Sequence, residues 1–298
     1  MSRSEVRAAA AVPGPAATTG APPAPGRGTP GALLASEIAV LFRRRRTWAM
    51  LAALAAVPVL IGVAVKLSSH RAPGQGPGFV DRISQNGLFL GLAALVLSIP
   101  LFLPLTVGVV SGDTIAGEAS QGTLRYLLVV PAGRVRLLLV KYGGALAFCL
   151  AAPLAVVVAG SIVGALLFPI GPVPLLSGDE ISAGEGLLRL LLTAAYVAVS
   201  LVGMAAIGLF VSTVTDVPVG AMATTVVAAV ASQVLDALPQ TEWLHPWLFT
   251  HYWLGLADLL RQPIEWGSFR DDALLQLGYV VVFGALAYGR FTTRDVLA

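Results

Sequence analysis

Few residues in this 298-residue chain could do covalent or metal chemistry. Cys149 is the single cysteine and lies inside an apolar run, so neither an intrachain disulfide nor a cysteine-based metal cluster can form. The histidines are His70, His245 and His251. The last two flank a tryptophan-rich stretch without a clear third ligand, and we read them as interfacial or solvent-facing, with no metal site expected. No G-x-x-x-x-G-K-[ST] phosphate loop, H-E-x-x-H or G-x-S-x-G occurs. The two lysines, Lys66 and Lys141, stand in other contexts. No catalytic constellation and no cofactor site is therefore expected. Any ATP hydrolysis, with its Mg, would belong to another chain.

What remains is recognition chemistry, and its residues are concentrated. Ser111-Gly-Asp-Thr-Ile-Ala-Gly-Glu-Ala-Ser-Gln-Gly-Thr-Leu-Arg-Tyr-Leu-Leu-Val-Val-Pro-Ala-Gly-Arg-Val-Arg136 mixes carboxylates, glycines, leucines and arginines between two long apolar runs. Asp113 to Gln121 contains helix-forming stretches, Gly122-Thr123 breaks or caps them, and Pro131-Ala-Gly133 makes a turn. Arg134, Arg136 and Lys141 follow at the start of the next apolar run. A plain connector needs about 2–8 residues. A segment of this length and character suits a docking element that carries force.

Composition says which solvent these elements meet. AVILMFWYC residues make up 56% and charged residues only 12%, with a mean hydropathy of +0.82. Soluble domains are about 25% charged, and disorder needs low hydrophobicity with high charge. An all-α, polytopic membrane protein is expected. Six runs are long enough to cross a bilayer, which takes about 20 residues: 48–65, 88–110, 142–168, 190–213, 217–235 and 273–289. They contain no charged residue, which argues against an ion-coupled carrier or channel. The pI of about 9.3 reflects arginines that set topology, not binding to nucleic acid.

Counting Lys and Arg by segment orients the chain. With the N-terminus inside, the inside segments hold 13 basic and 6 acidic residues; the outside segments hold 6 and 10. Both termini are expected in the cytoplasm. Residues 1–30, rich in Ala, Pro and Gly, read as a disordered cytoplasmic tail. In 31–46, Leu33, Leu34, Ile38, Leu41 and Phe42 recur at helical spacing before Arg43, Arg44, Arg45 and Arg46. This predicts an interfacial amphipathic helix with its arginines at the lipid headgroups. Trp243, Trp247 and Trp253 place 236–272 in the outer leaflet as a re-entrant segment. Gly87-x-x-x-Gly91 and Gly160-x-x-x-Gly164 permit close helix approach, either within one chain or between copies.

Glu118-Ala-Ser-Gln-Gly-Thr-Leu-Arg-Tyr-Leu-Leu-Val-Val-Pro-Ala-Gly-Arg134 resembles the signature of ABC-2 type transporter permeases: a Glu, then Gly-Thr, leucines, a Pro and an Arg between spans two and three. The six spans, the inside termini, the pre-span helix and the length are also similar to that family. The resemblance implies a type V exporter-like architecture over residues 31–298. It implies two ABC ATPase subunits that bind ATP and Mg, and a second permease copy or homologue. It further implies a coupling element in 111–137, with Asp113, Glu118, Gly122, Thr123, Leu124 and Arg125 meeting the ATPase. Arg134 and Arg136 would join the Arg43–Arg46 run as cytoplasmic anchors. The expected function is export of an unidentified, amphipathic or apolar cargo across a bacterial plasma membrane. A non-transporting membrane scaffold or sensor partner is the alternative.

Overall fold

The computed structural model describes residues 30–68, 78–122, 133–175 and 178–293. Thr123, Leu124 and Arg125 lie outside the described residues, as do the 1–29 portion of the expected tail and the last five residues. Among the described residues the architecture is α-helical, with a single two-stranded hairpin pairing Val173–Pro174 with Glu180–Ile181. Five helices are long and apolar enough to cross a membrane, or six if a bent pair is one span. The multi-pass, all-α expectation holds.

A first helix, α1 (Pro30–Arg43), is separated from α2 (Arg45–Ser68) by Arg44. The predicted interfacial helix thus ends before Arg45 and Arg46, which open the first span. At this corner the Thr47 hydroxyl donates to Leu41 O (2.7 Å) and the Trp48 indole to Phe42 O (2.7 Å). They satisfy carbonyls that the end of α1 leaves open. Short α3 (Gly78–Gln85) precedes α4 (Leu88–Ser98) and α5 (Phe102–Ser120).

The second span is not the single straight run expected: α4 and α5 are bent by 58°. Proline explains the place. Pro104 has no N–H for the carbonyl of Pro100, and its ring crowds that carbonyl. Gln233 on another helix donates to Pro100 O instead (2.9 Å). The expected loop at 111 is also absent. Helix α5 continues to Ser120, with Ser111, Gly112, Ile115, Ala116 and Gly117 buried. It stops where Gly122 adopts φ +69°, a conformation cheap only for glycine.

Helix α6 (Arg134–Leu167) begins eight residues before the expected span. Next come α7 (Ala183–Ser200), α8 (Val202–Val214) and α9 (Pro218–Asp236). Helix α7 is capped by Ser182, which accepts from Glu185 N. Two 3-10 segments, Pro239–Trp247 and His251–Leu260, lead to α10 (Gly267–Thr293). The core gathers Leu95, Leu103, Val107, Phe148, Tyr196 and Met204 from α4 through α8. Outward positions such as Leu60, Leu166, Val219 and Val281 are apolar and exposed, as lipid as a solvent requires.

Both glycine motifs find each other. A Cβ on Gly160 would stand 2.5 Å from Gly91 Cα, and Cβ atoms on Gly87 and Gly164 would each overlap the other's backbone carbonyl. Helices α4 and α6 therefore pack backbone to backbone, and these small residues serve packing within the chain.

Candidate functional site

The charged residues of the arginine-rich end converge on one cleft between α1, α2, α5 and α6. Glu37, Leu41, Arg44, Arg46, Asp113 and Lys141 line it. Two ion clusters occupy its walls.

The first cluster centres on Asp113. Arg44 lies 3.5 Å and Arg46 3.3 Å from its Oδ2. Arg46 also reaches Met222 Sδ on α9 (3.1 Å). The arginines are about half exposed, at 47% and 48%. Pairs this wet contribute roughly 0.2–1 kcal/mol each. Their value lies in joining the α1–α2 corner to α5.

The second cluster is drier. Lys141 Nζ donates to Glu37 Oε1 at 2.9 Å and to Glu118 Oε1, and its side chain is only 6% exposed. One ammonium therefore ties α1, α5 and α6 together. Gly144 stands beside this contact, where a Cβ would press on the Glu37 side chain. Lys141 was legible only as a charge at the mouth of a span. A sharper signal was available: in a chain with nineteen basic residues, of which all but two are arginine, a lysine is a choice. A compact ammonium can sit between two carboxylates where a planar guanidinium needs more room.

Below the clusters, the hydroxyl of Ser212 at the end of α8 accepts from Ile115 N (2.9 Å) and Ala116 N (2.8 Å). Arg134 at the start of α6 donates to Phe291 O (3.3 Å) and Thr292 O (2.7 Å), which fastens the end of α10. Of the predicted residues, Asp113, Glu118, Arg44, Arg46 and Arg134 are thus brought into one end of the bundle with defined partners. Arg43 and Arg45 are exposed, and Arg136 is half-buried near the start of α6.

The three tryptophans predicted as outer-leaflet anchors separate. Trp243 and Trp247 are 75% and 70% exposed, whereas Trp253 is 3% exposed. Trp253 turns inward and donates its indole N–H to Ser200 O (2.9 Å). It holds the second 3-10 segment to the bundle. His251 pairs with Asp236 (2.6 Å). Among the described residues, no group of three His, Cys, Asp or Glu side chains is placed to hold a metal ion.

The spans are also less neutral than their sequence limits implied. Lys141, Arg189 and Asp272 lie inside helices and are buried. Arg189 is neutralised by Glu185 (3.1 Å) and donates to Leu259 O (3.0 Å), Arg261 O (2.7 Å) and Gln262 Oε1. It clamps the far end of the second 3-10 segment.

A bundle of apolar helices, with one pair bent by 58° and with ion clusters gathered at one end, describes a multi-pass membrane protein. The chain belongs to the ABC-2 family: the description "ABC-2 family transporter protein" matches residues 33–232, from α1 into α9. A comparison with curated proteins found no match. Permeases of this family are normally non-catalytic and work with ABC ATPases.

Proposed function

We propose that this chain is the membrane-spanning permease subunit of an ATP-driven exporter in the plasma membrane. Its arginine-rich end and both termini face the cytoplasm. Two separate ATPase subunits, which bind ATP and Mg, dock on the 111–137 segment, and a second permease copy or homologue completes the path for an amphipathic or apolar cargo. Asp113, Glu118 and Gly122 belong to the docking surface with Thr123, Leu124 and Arg125.

One observation carries this reading: the Glu37–Lys141–Glu118 cluster ties the end of α5 to α1 and α6. A push on the turn after Ser120 therefore has a stiff route into the interfacial helix and into the second and third spans.

The test is co-purification of the tagged full chain with an ATPase, followed by Glu118→Arg. Expected is normal membrane insertion with ATPase stimulation lost at least tenfold. Full stimulation in Glu118→Arg removes this residue from the coupling role, and recovery of no ATPase removes the exporter reading. Orientation is checked separately. A reporter fused at residue 125 should read cytoplasmic and one at residue 255 external; reversed signals overturn the charge count.

A further inference from the structure

Asp272 is the one carboxylate among the described residues that is wholly buried, at 0% exposure. It faces Ser200, near the middle of the 32-residue apolar stretch Ala183–Val214. At about 1.5 Å per helical residue, Ser200 lies roughly 20 Å or more from either end of that stretch. An ionisable group at such depth is expensive and is expected to have a role.

Its hydrogen bonds accommodate a proton, and its burial without a cation calls for one. Gln276 Oε1 accepts from Gly203 N (3.1 Å), and its Nε2 donates to Phe249 O (2.9 Å). That fixes the amide, so Nε2 also donates to Asp272 Oδ1 (3.0 Å). Oδ1 is thereby an acceptor. The other oxygen, Oδ2, lies 2.7 Å from Ser200 Oγ, which in turn lies 3.0 Å from Tyr196 O. A serine hydroxyl has one hydrogen, and Tyr196 O can only accept. If Asp272 is ionised, Ser200 gives its hydrogen to Oδ2 and Tyr196 O keeps only its helical N–H. With a proton on Oδ2, both are satisfied: Asp272 donates to Ser200, and Ser200 donates to Tyr196 O.

Among the described residues, the surroundings offer no cation. On α7, Tyr196 is engaged with Tyr252 O, and Arg189 is held by Glu185 and the chain around Leu259–Gln262. On the second 3-10 segment, Asp258 meets Ser268 and Arg261, and His251 meets Asp236. On α10, Arg270 pairs with Asp271 at the surface, and Tyr279 donates to Trp247 O. On α6, Tyr142 donates to Val202 O and Cys149 to Leu201 O. Helix α8 has no charged residue. Among the described residues, no Lys, Arg or His lies within 4.0 Å of Asp272.

We propose that Asp272 is a proton-binding site, and that its proton holds the 248–260 segment seated on α7 and α10. The same few residues do both jobs. Ser200 bonds Asp272 through its hydroxyl and Trp253 through its carbonyl; Gln276 bonds Asp272 and Phe249. Loss of the proton leaves a carboxylate with two hydrogen bonds but no cation in a dry pocket, and lifting the segment to admit water relieves it. The seated state therefore binds the proton more tightly than the lifted one. By linkage, conditions that remove the proton also loosen the seat. This gives the permease a proton-sensitive closure, independent of the ATPase reading.

Infrared difference spectroscopy of the purified full chain in lipid nanodiscs is the direct test. At neutral pH we expect a carboxylic-acid C=O band that Asp272→Asn removes and that Ser200→Ala shifts. Absence of any band lost in Asp272→Asn overturns the proposal. Should Asp272→Asn fail to fold, Asp272→Glu must move the band instead, and an unmoved band has the same consequence. Hydrogen exchange over 247–260, corrected for its intrinsic pH dependence, should rise with pH in the wild type and stay flat in Asp272→Asn. Equal pH dependence in both overturns the coupling to seating.

Discussion

Lys141→Met is expected to be among the most damaging single substitutions in the chain. Methionine fills nearly the same volume but leaves Glu37 and Glu118 facing each other, with the ammonium that neutralised them gone. Removing one partner of a buried ion cluster typically costs about 3–5 kcal/mol, because a charge is stranded away from water. Glu37 keeps 23% and Glu118 16% of its side-chain surface exposed, so water takes up part of that and the low end of the range applies. Thermal unfolding of the purified protein reads the effect. The triple change Lys141→Met, Glu37→Gln and Glu118→Gln should recover most of the stability, since neutral amides need no ammonium. Failure of that rescue would mean the lysine acts through packing and not through charge. Under the proposed function, the triple variant should also fold without restoring ATPase stimulation.

Gly164→Val is expected to be equally severe for a different reason. Even a Cβ at this position overlaps the carbonyl of Gly87, and backbone cannot yield as a side chain tip can. The α4–α6 pair would have to separate along its length, which also opens the Gly91–Gly160 contact. Overpacking usually costs about 1–3 kcal/mol, and more when the main chain must move. Loss of the monodisperse peak in detergent, at unchanged synthesis, is the readout. By contrast Gly278→Ala, where an added Cβ meets nothing within 4 Å, should leave that peak intact. Wild-type behaviour of Gly164→Val would show that α4 and α6 do not meet as closely as described.

How much of this was visible beforehand differs by feature. The spans were legible because burial in lipid demands long runs without charge, and composition alone reports that. The stop after Ser120 was legible because Gly122 can take a positive φ. The bend at Pro100 was not. Pro100 and Pro104 were both in view, but proline is tolerated in membrane helices when another group satisfies the freed carbonyl. That group, Gln233, is 133 residues away in the chain. Likewise the extent of α5 was underestimated. Asp113 and Glu118 look like loop residues until Arg44 at the α1–α2 corner, Arg46 on α2 and Lys141 on α6 neutralise them on a helix that simply continues.

The amino-acid sequence by itself determined the solvent, the class of fold and the family, since these follow from local runs, charge counts and one motif. Only the tertiary structure decided which charges meet. Lys141 became a hub, Trp253 turned inward, and the two glycine motifs closed on each other within one chain. Asp272, one residue beyond the expected limit of the last span, became the most buried acid among the described residues. A charge's meaning in a membrane depends on what stands a few ångströms away in a low-dielectric interior, and that neighbour is seldom a neighbour in sequence.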